Sequence, residues 1–168
     1  TSIVCDYLLS NAAPQVLAAL RNKPSPESLE GSQLKINLLV KQLPRLKSGI
    51  DTRDAFAGTF HINESFTQLE TAYQQAKSGK IPSQLPLEMY CHTLTDSTIL
   101  SNQLQKEGYH TLTLFALHTP ANLFDINNEA QRGEACKAAL ASLNEYLEDP
   151  IESVLARSAS GELAIEVK

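Results

Sequence analysis

The chain has 168 residues, 42% of them apolar and 20% charged, enough for one domain, residues 1–168, built around a packed core. Its 14 Lys and Arg against 19 Asp and Glu leave a formal charge of -5 with no basic run, so nucleic-acid binding has no electrostatic footprint. No apolar stretch approaches the roughly 20 residues that cross a bilayer, and Thr1 onward has neither a basic nor a long hydrophobic leader, so the expectation is a soluble, cytoplasmic protein without a membrane span.

Thr1 to Leu9 is an extended-looking run, and Ser10-Asn11-Ala12-Ala13-Pro14 supplies a turn with Pro14 placed to open a short helix ending at Arg21. Residues 22–33 combine prolines, a glycine and polar residues, which predicts a surface loop. Leu34 to Lys41 suits a strand buried on both sides or a core strand edged by charge, and Asn37 within it needs a hydrogen-bond partner if buried. Ala55 to Ile62 alternates, with Phe56, Phe60 and Ile62 on one face and Ala57, Thr59 and His61 on the other. That predicts a strand in which Gly58 leaves a gap for close approach. Glu64 to Ser78 places Phe66, Leu69, Tyr73 and Ala76 at helical spacing, with Asn63 as the N-cap.

Leu87 to Thr93 and Tyr109 to His118 read as an antiparallel strand pair joined by a polar loop or short helical turn. In the first, Leu87, Met89 and Cys91 face one way and Glu88, Tyr90 and His92 the other. In the second, Leu112, Leu114 and Ala116 oppose Thr111, Thr113, Phe115 and Leu117. Asn127 or Asn128 caps a long helix to Leu147 with Cys136, Leu140, Leu143 and Leu147 as its apolar stripe, and Asp149-Pro150 stops it. Glu162 to Lys168 alternates as a final strand. The elements add up to an α+β fold, a mostly antiparallel sheet of about five or six strands with two main helices packed on one face.

Cys5, Cys91 and Cys136 sit in apolar patterns, as reduced, buried cysteines do. Cys91-His92 is the only adjacent pair of Cys and His, but in a strand the two point to opposite faces, so no metal site is expected. His92 and His118 are the candidates for acid-base work, against the plainer reading of hydrogen-bonded structural residues; His61 and His110 fall near strand ends. No Ser/His/Asp grouping, phosphate loop or spaced carboxylate pair marks a free-standing hydrolase or kinase, and no catalytic residue is assigned.

Several phrases resemble the substrate domain of phytoene desaturase-like FAD-dependent oxidoreductases, and the match spans most of the chain. They are Ser10-Asn11-Ala12-Ala13-Pro14, the Lys35-Ile36-Asn37 strand opening, Leu94-Thr95-Asp96-Ser97 after a strand, the Gly108-Tyr109-His110 strand and the capped helix that follows. Ala13 departs from the family's usual Asp, and the stretch from Phe124 to Asn128 is shorter than the family's turn. No Gly-x-Gly-x-x-Gly follows a strand. The resemblance therefore implies a fragment: the substrate-binding cap of a flavoprotein, inactive alone, with FAD held by the missing domain of the same chain.

It further implies that Ser10 and Asn11 touch the cofactor in the full protein, although a plain helix-capping turn explains the same residues. Phe60, Tyr90, His92, Phe115 and Leu117 would line the pocket of a hydrophobic or amphipathic substrate, or else simply pack under the helices. The alternative in another class is a stand-alone α+β binding or self-associating domain, a homodimer through its sheet face or edge.

Overall fold

A computed structural model describes residues 4–26 and 31–168, which divide into two compact units, residues 1–30 and 31–168. The expected strand at the N-terminus does not form: residues 4–10 carry no regular structure, and Cys5, Tyr7, Leu8 and Leu9 are exposed. Helix α1, Pro14–Leu20, follows with Pro14 in its first turn, where the missing N–H costs nothing. It ends as Asn22 takes a left-handed φ of 52° and the Lys23 N–H returns to the Ala18 carbonyl at 2.9 Å. Part of the predicted 22–33 loop, residues 27–30, and the first three residues lie outside the described residues.

The second unit contains β1 (Gln33–Val40), α2 (Thr52–Ala55), β2 (Phe60–Ile62), α3 (Phe66–Lys77), β3 (Leu87–Tyr90), α4 (Asn102–Lys106), β4 (His110–Leu117), α5 (Asn128–Asn144) and β5 (Ile165–Val167). Its five strands form one sheet in the order β2-β3-β4-β1-β5, and every neighbouring pair is antiparallel, so the fold is α+β. The centre is the β1–β4 pair, in register from Gln33 opposite Leu117 to Val40 opposite His110.

The alternation in these strands sorts the sheet into two unlike faces. Leu34, Ile36, Leu38 and Val40 from β1, Leu112, Leu114 and Ala116 from β4, and Leu87 and Met89 from β3 are all buried on one side. Helix α5 turns Ala135, Cys136, Ala139, Leu140 and Leu143 into the same core, and α3 contributes Ala76. The Leu85 N–H is bonded by Ser142 Oγ at 3.0 Å, which ties the entry of β3 to α5. β1 is therefore buried on one side only, and its second face presents Lys35, Asn37 and Leu39.

Elsewhere the chain departs from its periodicity. Asp51 accepts from the Arg53 N–H and starts a helical turn through Ala55, so the strand expected from Ala55 shrinks to Phe60–Ile62; nothing approaches Gly58 within 4 Å of where a Cβ would stand. Asn63 adopts φ 56° to leave β2, and Ser65 caps α3 by accepting from Gln68 N–H. Phe66 is 86% exposed, while Tyr73 sits edge-on to His118 at 5.9 Å on the flank of α3; the buried stripe is Ala72 and Ala76. Helix α5 stops at Asn144, whose side chain accepts from Ile151 N–H and donates to Glu152, turning the chain before Asp149-Pro150 can act. Among the described residues no helix is long and apolar enough to cross a membrane.

Candidate functional site

The second face of the sheet carries the side chains with chemistry. Cross-strand register places His61, Glu88, Phe115 and Lys35 in one row and Tyr90, Thr113, Asn37 and Glu166 in the next, with Thr111 opposite Leu39 beyond them. These neighbours meet directly. Tyr90 lies edge-on to Phe115 at 5.8 Å, Lys35 Nζ stands 5.8 Å over the Phe115 ring, and the Tyr90 hydroxyl donates to Glu88 at 2.8 Å.

In the second row Thr113 Oγ1 donates to Asn37 Oδ1 at 3.2 Å and Asn37 Nδ2 donates to Glu166 Oε2 at 2.8 Å. The partner that Asn37 required is thus supplied from both neighbouring strands. Hydrogen bonds from Lys168 and from Asn37 hold the Glu166 carboxyl below its ordinary range, which keeps the edge strand charged and paired.

Over this face the segment between β3 and β4 rises as two 3-10 turns, His92–Leu94 and Ser97–Ile99. They create a depression of about 470 Å³ lined by Leu39, His92, Ile99, Thr111, Thr113 and Ala164. That volume is in the range of small-molecule sites, and the lining combines apolar walls with a few hydroxyls. His92 stacks on Tyr90 with centroids 5.9 Å apart and planes 10° from parallel, forming its rim. Thr111 Oγ1 is buried in the wall of this depression without a hydrogen-bond partner. A larger recess of about 550 Å³ lies between α3 and residues 80–83, lined by Glu70, Thr71, Gln74 and Gln75 among others, and holds none of this chemistry.

The predicted site residues divide accordingly. Tyr90, His92 and Phe115 come together, and Leu117 shares their face at the far end of β4. Phe60 does not join them: paired with Met89, it turns to the core face and packs edge-on against Phe56 at 5.1 Å. Ser10 Oγ accepts from Ala12 N–H at 3.3 Å in a local turn, Asn11 is exposed, and α1 has Ala13 as its N-cap with no side-chain bond, so neither residue caps the helix. His118 packs on Tyr73 with a left-handed φ of 56°.

His110 accepts or donates at 3.0 Å with Thr93 Oγ1, and burial, aided by Arg53, pushes its pKa down. Cys91 and Cys136 are buried thiols, and burial with Glu152 nearby raises the Cys136 pKa; Cys5, by contrast, is exposed. One constellation escaped the sequence. His61 Nδ1 lies 2.6 Å from Glu64 Oε2, and one ligand atom from each of His61, Glu64 and Glu88 fall within 4.8 Å of one another. The spacing His61-x-x-Glu64 was the available signal, but the third member comes from the adjacent strand.

No protein-family model matches the chain, and no solved structure matches it. The chain is similar to uncharacterized proteins of Mycobacterium bovis (strain ATCC BAA-935 / AF2122/97) and of Mycobacterium tuberculosis strains CDC 1551 / Oshkosh and ATCC 25618 / H37Rv. Each is 46% identical over 162 residues, covering 95% of this chain. The chain spans about 30% of the length of these curated relatives, so more than two thirds of each lies outside the similarity.

Proposed function

We infer that this chain is the substrate-binding cap of an FAD-dependent oxidoreductase resembling phytoene dehydrogenase, acting on a hydrophobic or amphipathic small molecule in the cytoplasm and inactive by itself. One observation carries the reading: opposite the core face, the sheet brings the Tyr90, His92 and Phe115 rings together beside a depression of about 470 Å³, in a chain that spans only about 30% of its relatives' length. A flavin would supply the redox chemistry, while a cap supplies shape and excludes water.

The chain's own residues do not fit the dinucleotide. Its glycines at 49, 79, 108 and 161 adopt positive φ, but none belongs to a Gly-x-Gly-x-x-Gly turn between a strand and a helix, the device that brings pyrophosphate against backbone. FAD therefore belongs to the remainder of the flavoprotein. The roles left to this chain are to seat the apolar substrate against Leu39 and Ile99, to orient it through Thr111, and to close the site with the Tyr90, His92 and Phe115 rings.

The test is flavin content. The natural gene product containing these residues should purify with about one FAD per chain, and the 168-residue chain with none. A whole gene product free of FAD, or stoichiometric FAD on the short chain, contradicts the reading. In the rival reading of a self-associating domain, the short chain forms a defined dimer and the whole gene product carries no flavin.

A further inference from the structure

The junction of β2 and α3 gathers metal-ligating side chains that the cap reading does not use. His61 lies directly opposite Glu88 on the neighbouring strand. The left-handed turn at Asn63 then brings Glu64 back beside His61, with Oε2 2.6 Å from Nδ1. Ligand atoms of His61, Glu64 and Glu88 lie within 4.8 Å of one another. The Glu64 side chain is only 19% accessible, and its other oxygen, Oε1, is buried with no donor. A carboxylate oxygen withdrawn from water without a partner is costly, and the imidazole contact serves only Oε2. A cation would satisfy it.

We propose that His61, Glu64 and Glu88 form a three-ligand site for a divalent transition metal of the Zn²⁺ or Mn²⁺ kind. One imidazole nitrogen with two carboxylates distinguishes the donor set from the all-oxygen cages of Ca²⁺ and Mg²⁺. At metal–ligand distances of about 2.0–2.2 Å, tetrahedral donors stand roughly 3.3–3.6 Å apart, so on binding the 2.6 Å His61–Glu64 pair opens while the wider separations close. His61, with a side chain 56% accessible, has the freedom to make that movement. The Tyr90 hydroxyl already holds Glu88 Oε2 at 2.8 Å, the outer bond that fixes a ligating carboxylate. With three protein ligands, the remaining positions stay open to water, and the site stands whether or not the chain serves a flavin.

The experiment is a calorimetric titration of Zn²⁺ alone into metal-stripped chain carrying Cys5→Ser, which removes the exposed thiol. The site predicts one Zn²⁺ per chain, with affinity at least about tenfold weaker in His61→Ala and in Glu88→Gln. Glu162→Gln, remote in sequence and absent from the cluster, should leave the affinity unchanged. Co²⁺ should give a visible absorption band in the parent that His61→Ala abolishes. Circular dichroism checks that each variant is folded; His61 is exposed, so its replacement keeps the test available if Glu88→Gln does not fold. Saturable binding that ignores both substitutions, or no saturable binding at all, overturns the proposal.

Discussion

Leu38 and Leu39 are neighbours in β1 with identical side chains and opposite fates, which makes their truncation a measure of how different the two faces are. Leu38 is 2% exposed, opposite Leu112 and Ile165 in the register, and closed over by the core. Leu39 is half-buried, opposite Thr111 on the wall of the open depression. Leu38→Ala loses the transfer energy of the removed carbons and leaves an enclosed void, a cost of about 3 kcal/mol within the usual range of roughly 2–5. Leu39→Ala removes atoms already in partial contact with water and leaves no enclosed void, so its cost should be about 1 kcal/mol or less. For a domain of this size about 1 kcal/mol moves Tm by roughly 2–4 °C, so the pair should differ by at least about 4 °C. Urea unfolding followed by circular dichroism, with m unchanged between variants, gives the energies directly. Equal costs, or a larger one for Leu39, would refute the assignment of an open face.

Three further outcomes follow from individual contacts. Ser142→Ala strips the buried Leu85 N–H of its acceptor and should cost about 1–3 kcal/mol in the same urea assay, whereas a loss within error would mean that water replaces the hydroxyl. Asn127→Ala removes the oxygen that caps Ala130 N–H at the start of α5 and should cost about 1 kcal/mol, with Asn127→Asp restoring most of it; equal loss in both variants would deny the capping role. His110 is held below its ordinary pKa of 6.5, so the folded state resists a proton that the unfolded chain accepts. Stability is then unaffected by this group above the unfolded pKa. It falls as pH drops through that value and levels off below the folded one. Between about pH 7.5 and 5.5 the parent should lose more stability than His110→Asn, and parallel profiles would remove the group from the account.

The parts of the fold that the sequence disclosed are those where one strand or helix states its own face. In β4 the buried Leu112, Leu114 and Ala116 alternate against Thr111, Phe115 and Leu117, and the stripe Cys136, Leu140 and Leu143 of α5 is buried, as is Leu147 beyond the helix end. Relations between elements were harder to read. Phe60 has the parity expected within its strand, but only the register opposite Met89 reveals that it turns away from Tyr90 and Phe115. The helical turn at residues 52–55 was hidden because Phe56 suits a helix end as well as a strand, and the Asp51 cap decided it. The depression depends on how the turns around His92 and Ile99 fold over β4 and β1, which no periodicity encodes. His61, Glu64 and Glu88 likewise meet only through strand pairing.

Whether the sheet face carrying Tyr90, Phe115 and Leu39 is covered by the rest of the natural gene product, as the proposed flavoprotein cap requires, is tested most directly by side-chain footprinting with hydroxyl radicals. Tyr90, Phe115 and Leu39 lie on the open face, while Phe66, 86% exposed on α3, serves as the control. In the 168-residue chain all four should react. In the whole natural gene product carrying FAD, the three open-face residues should become protected as Phe66 stays reactive. Equal reactivity of Tyr90, Phe115 and Leu39 in both proteins would contradict the account.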